Sequence, residues 1–207
     1  PDVIERELKN VNLNLVPHLR NISVDDILNL PICKRSDIHM ITQLLKNLCG
    51  SFYHLGDWKF VYLIHSKILS LTLEYGITID SPEGFVGYAM TNIILWNDIN
   101  LGCKLGDAAW RLSCKYGKLS QLSNVSLHYG VYILFWRKHL KHSLDIIQTG
   151  LEAGIKSGEY LFLGYSISHI IFGKFFTGYN LNLLFNKLEK ELLFSRKLKN
   201  ELIYNIL

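Results

Sequence analysis

Proline is scarce, with four in 207 residues, so long helices run with few obligatory breaks. No apolar run reaches the roughly 20 residues that a membrane-spanning helix needs. The most apolar stretches, Val86–Trp96 and Gly130–Trp136, stop well short of that. No signal peptide opens the chain, and the expectation is a soluble, cytoplasmic protein with no membrane insertion. Strong charge of one sign is also missing: 22 Lys and Arg against 18 Asp and Glu leave a formal charge of +4. That is too mild and too dispersed to argue for nucleic acid by itself. The four cysteines, Cys33, Cys49, Cys103 and Cys114, form no C-x-x-C pair, which argues against a zinc site and for reduced thiols. A disulfide framework is not expected in a chain this long and this rich in core residues.

What is present is helical and repetitive. The hydrophobic share is 49% and the charged share 19%, the balance of a folded chain. Leu73-Glu74-Tyr75-Gly76, Cys114-Lys115-Tyr116-Gly117 and Ile155-Lys156-Ser157-Gly158 place a terminal glycine every 41 residues. A glycine just past an apolar-periodic stretch is a helix stop, because it accepts a left-handed backbone. Trp96, Trp136 and Phe176 recur every 40 residues at the ends of other apolar stretches. Two landmarks per period mean two helices per unit, the signature of a helical solenoid.

The resulting expectation is an all-α chain, a tetratricopeptide-like α-solenoid with a period of about 40–41 residues. It is read as a single repeat domain over residues 1–207. Helical hairpins fall at about 36–75, 82–116, 120–157 and 159–197, after a short helix near Val24–Leu30 and before a last one near Asn200. Small residues at Gly102 and Gly106, Ala109 and Ser113, and Gly150 and Gly154 fall at i, i+4 spacing, where they let a neighbouring helix approach. Both ends lie within helical patterns, as in a segment of a longer chain.

A family resemblance follows from an ordered series of motifs. Asp25-Asp26-Ile27-Leu28-Asn29-Leu30-Pro31, Leu69–Gly76, Ser81-Pro82 with Gly87-Tyr88-Ala89, Gly102–Gly106 before Ala108-Ala109, and Trp136–Leu140 through Gly150–Gly154 to Ser157-Gly158-Glu159 carry it. The series resembles the helical region of large bacterial multidomain signalling kinases, whose chains join a serine/threonine kinase-like domain, an AAA-type ATPase, this region, a GAF domain and often a histidine kinase. It covers roughly residues 23–178 and departs in the loop 77–80. The family's catalytic motifs are absent from the chain: there is no phosphate-binding G-x-x-x-x-G-K-[ST] loop and no H-R-D. The resemblance implies a non-catalytic interaction or signal-relay module. Its partner would be a protein or a flanking domain of the same chain. A stand-alone adaptor or effector and a nucleic-acid-binding solenoid are the alternatives.

Candidate chemistry is thin. The densest basic cluster is Arg137, Lys138, His139, Lys141 and His142; a solvated turn between helices is its simplest account, and an acidic partner or a phosphate is the functional alternative. The rings of Tyr88, Trp96, Tyr129, Trp136 and Phe172 sit in apolar stretches, where core packing is the expectation. Asp107, Glu152 and Glu159 lack an acid–base partner in sequence, and Ser126 with His128 lacks the context of a nucleophile elbow. No catalytic, cofactor-binding or metal-ligating residue is assigned, and no enzymatic activity is expected of the segment.

Overall fold

The structure is a computed structural model and describes residues 3–197. Among the described residues the regular structure is helical. The helices are α1 (Val3–Asn21), α2 (Val24–Leu28), α3 (Ser36–His54), α4 (Trp58–Tyr75), α5 (Ser81–Trp96), α6 (Ile99–Tyr116), α7 (Leu119–His128), α8 (Leu140–Ser157), α9 (Tyr160–Phe176) and α10 (Leu181–Lys197). From α3 onward the boundaries match the sequence expectation to within one residue, α7 excepted. The helix expected near Asn200 lies outside the described residues, as do Leu198 and Lys199 of the basic run Arg196-Lys197-Leu198-Lys199.

Local chemistry accounts for most of the boundaries. Ser23 caps α2 by accepting a hydrogen bond from the Asp26 amide, while the Asp26 carboxylate accepts from the Ser23 amide in return. Asp57 and Asp98 cap α4 and α6 through the amides of Phe60 and Leu101. Of the three periodic glycines, Gly158 closes its helix in the left-handed region at φ 72°. Gly76 also takes a positive φ, 99°, but turns into an extended backbone; a Cβ there would stand 2.3 Å from the Pro31 carbonyl oxygen. Gly117 departs from the expectation, with φ −74° and ψ 151°. Its requirement is space, since a Cβ would meet the Ser113 carbonyl oxygen at 2.5 Å.

Consecutive helices pack as antiparallel neighbours would: α3 on α4, α4 on α5, α5 on α6, α7 on α8 and α8 on α9. α5 also meets α7, and α7 meets α9. The small-residue positions act as expected. A Cβ at Gly102 would run into Ile93 of α5, and at Gly150 and Gly154 into Ser126 and Ser123 of α7.

Two features go beyond the expectation. The first is α1: the helical pattern expected at the start of the chain is a full 19-residue helix packed along α4. It is tied down by Lys67–Glu7 (2.6 Å), Arg20–Asp98 (2.8 Å) and the Tyr88 hydroxyl donating to Asn12. Lysines of α6 cap the carbonyl ends of both N-terminal helices, Lys104 on Leu19 and Lys115 on Leu28. The second is a break in the first helix of the hairpin expected over 120–157. After His128 the chain makes a π-helical turn, Tyr129–Ile133, then a 3-10 turn, Leu134–Trp136. Displaced carbonyls find side chains: Tyr132 O accepts from Trp136 Nε1 and Ile133 O faces the Cys103 thiol.

The main core gathers around α5 and α6, with Phe85, Tyr88, Leu105 and Leu112 fully enclosed. A smaller core of Ile147, Leu163, Ile167 and Ile170 joins α8 and α9. Rings expected in the core divide accordingly. Tyr88 and Tyr129 are buried, whereas Trp136 and Phe172 are about half exposed.

Candidate functional site

Three places concentrate polar or aromatic groups. The first is a cleft of about 680 Å³ between the α1–α2 junction, the start of α6 and the π-helical turn. Arg137 and Lys138 of the basic cluster line it, together with Arg20, Lys104, Asp98 and Asp107. His139, Lys141 and His142 do not; they are exposed at the start of α8, where His139 Nδ1 accepts the Lys141 amide. The turn therefore splits the cluster that is continuous in sequence. Arg137 is held by the Asn100 side chain at 2.8 Å. The floor of the cleft is apolar, with Leu101, Ile133 and Leu134 beside the Tyr129 ring. Burial drives the Tyr129 phenol well above its usual pKa, Asp107 adds to the rise, and Arg137 opposes it.

The second place is a cysteine–histidine contact between α3 and α4. Cys49 Sγ lies 3.4 Å from His65 Nε2. Sequence reasoning missed this pair, because 16 residues separate its members and only helix packing brings them together. A nucleophilic pair of this kind works as thiolate and imidazolium. Here the environment favours both neutral forms. Burial pushes the Cys49 thiol up to about 11, with Glu83 adding to it, and burial pushes His65 down to about 4, with His128 adding to it. The His65 ring stands 2.1 Å from where a Cβ on Gly87 would be, so it fills the seam between α4 and α5. Packing of α3, α4 and α5 is what brings the two side chains together.

Close by, Lys46 of α3 reaches Glu83 at 2.8 Å and Asp80 at 3.7 Å at the start of α5. Both carboxylates are almost fully enclosed. Thr42 and Gln121 donate to Asp80, and Gln121 also donates to Ile79 O at 2.5 Å. Burial raises the Glu83 pKa despite the lysine. The network ties α3, α5 and α7 to one point, as satisfied buried polar groups do.

The third place is an aromatic patch. Trp58 packs edge-on against Tyr53 at 5.1 Å. Burial raises the Tyr53 pKa, and the nearby phenols of Tyr165 and Tyr132 raise it further. His128 bridges Tyr132 and Phe162, at 6.0 Å from each ring. Tyr53, Trp58 and Tyr132 are each more than two-fifths exposed. Of this patch the sequence marked only His128, and in another role. Ser126, considered as its companion, is buried against Gly150 instead.

Asp107 pairs loosely with Arg111 at 3.7 Å, and Glu152 accepts from Gln148. Among the described residues no group of three His, Cys, Asp or Glu side chains is placed to hold a metal ion. No helix there is long and apolar enough to cross a membrane. The four cysteines are free; Cys33 and Cys103 are buried, Cys49 is partly covered and Cys114 is exposed. Comparison with protein-family models, with curated proteins and with solved structures gives no match.

Proposed function

We propose that this chain is a non-catalytic protein-interaction module, a tetratricopeptide-like stack of helical hairpins that receives its partner on the aromatic patch. The observation that carries the reading is the group of exposed rings, Tyr53, Trp58 and Tyr132, gathered from separate helices onto one surface. Tyrosine and tryptophan are enriched at the centres of protein interfaces, where they bury large area at low entropic cost. The order of packing, each helix on the next with α5 on α7 and α7 on α9, supports the solenoid reading. The motifs shared with multidomain signalling kinases favour a flanking domain of the same chain as the partner. A free-standing adaptor would use the same surface on a separate protein.

Affinity capture tests the proposal, with the full chain as bait in lysate of the cells that make it. A genuine partner is retained by the wild type and by an Asp145→Ala control, and lost by the Tyr53→Ala/Tyr132→Ala double variant. Identical captures by all three baits would remove the patch from the account. An immunoblot for the native chain separates the two forms of the proposal: a mass far above 23.9 kDa supports the embedded module, and one close to it the adaptor.

A further inference from the structure

The cleft beside the π-helical turn has features that a packing defect would lack. Its cations are unevenly matched. Arg20 is neutralised by Asp98 at 2.8 Å, and Lys104 is taken up by the carbonyl end of α1, through Leu19 O at 2.8 Å and Arg20 O at 3.2 Å. Arg137 and Lys138 meet no carboxylate among the described residues; Arg137 is positioned by the neutral Asn100, and Lys138 stands exposed at the rim. Asp107, the remaining carboxylate of the lining, pairs with Arg111 outside it at 3.7 Å and also acts on the Tyr129 phenol. At the floor, Tyr129 is only 6% exposed, and its phenol has no hydrogen-bond partner among the described residues. A hydroxyl that no protein group engages is free to donate to a ligand in the cleft. Leu101, Ile133 and Leu134 supply an apolar wall to the same cleft. The volume, about 680 Å³, lies within the range of small-molecule sites.

We infer that this cleft binds a small organic anion, with the apolar body against Leu101, Ile133 and Leu134 and the charged head between Arg137, Lys138 and the Tyr129 hydroxyl. The π-helical turn has a part in this. It carries Tyr129 and Ile133 into the wall and leads into the short 3-10 turn that delivers Arg137 and Lys138 to the rim. Helical irregularities of this type recur where a backbone must present side chains to a ligand. The head group is a carboxylate or a phosphate monoester, both of which accept from a guanidinium and a phenol.

The test is a titration of the full chain, followed by the backbone amide resonances of Leu101, Cys103 and Ile133. The probes are octanoate, octyl phosphate, 1-octanol and inorganic phosphate. Saturable shifts at these amides are expected with octanoate or octyl phosphate, the stronger of the two identifying the head group. 1-Octanol and inorganic phosphate, each lacking half of the ligand, are expected to bind at least tenfold more weakly. Lys138→Glu weakens the preferred anion about tenfold or more, and Tyr129→Phe several-fold. Both changes leave the helical circular dichroism intact, since Lys138 is exposed and the phenylalanine keeps the ring. Tyr53→Ala, on the aromatic patch, leaves the affinity unchanged. The inference is overturned if neither anion gives saturable shifts up to the millimolar range, if 1-octanol binds as tightly as octanoate, or if Lys138→Glu and Tyr129→Phe bind like the wild type.

Discussion

The block built around α5 and the outer hairpin of α9 and α10 are made from similarly apolar sequence, yet they end in opposite states. From Ser81 to Ala89 every residue of α5 is buried, because α4, α6 and α7 surround it. In α9 and α10, Phe172, Phe175, Phe176, Leu181 and Phe185 remain exposed, because α10 lies lightly on α9 among the described residues. A hairpin cannot bury its own apolar face, and its neighbours decide how much is covered. Stability is therefore concentrated in the central block, while the side chains available to a partner lie around and beyond its edge.

The sharpest way to break this comparison is to empty both cores. Phe85→Ala in the fully enclosed centre is expected to cost about 3–5 kcal/mol, and Leu184→Ala in α10 about 2 kcal/mol, read by urea denaturation. Equal costs would mean that the outer hairpin is packed as well as the centre.

Glycines at helix contacts give a matched second pair. Gly87→Ala puts a methyl group 2.1 Å from the His65 ring, which is wedged between α4 and α5. A cost of about 1–3 kcal/mol is expected. Gly173→Ala meets Leu144 Cδ2 at 2.4 Å, the free end of a flexible side chain, and is expected to cost less than about 1 kcal/mol. Thermal melts of the two variants should differ in that order.

Acid sharpens the contrast further. His65 titrates near 4 in the fold, below its ordinary 6.5, because burial disfavours the charged ring. The unfolded chain thus holds the proton more tightly. The stability this group contributes is present above pH 6.5 and is lost as the pH falls toward 4. The wild type should lose about 1–2 kcal/mol over that window on account of this group, partial exposure reducing the full effect. His65→Gln should flatten that part of the pH profile. Glu83 runs the other way: burial raises its pKa, so its contribution fades as the pH rises through the folded value. A milder effect is expected at Gly158, which is left-handed and has no atom within 4 Å of the place a methyl group would take. Gly158→Ala should cost about 1 kcal/mol, again read by thermal melting, through backbone strain alone.

Sequence periodicity located α3 to α10 because apolar spacing and helix-stop glycines agree there. It marked a helical pattern at the start of the chain but not the full length of α1, whose buried stripe of Leu8, Val11, Leu15 and Leu19 is narrow and interrupted by Pro17. The π-helical turn was equally hidden, since no breaker residue marks the stretch from Gln121 to Trp136 apart from Gly130. Of the basic cluster, Arg137 and Lys138 reached a cleft whose other walls come from residues 20–107 and 129–134. The aromatic patch was illegible for the same reason. Tyr53, Tyr132 and Tyr165 belong to three separate elements, and only packing assembles them.

The most direct test of the account is photo-cross-linking in the cells that produce the protein, with a benzophenone amino acid replacing Tyr132 or, as a control, Asp145 on the exposed side of α8. The account predicts one discrete adduct from position 132 and none from position 145. Absence of any adduct at position 132, or the same adduct from both positions, would contradict a partner seated on the aromatic patch.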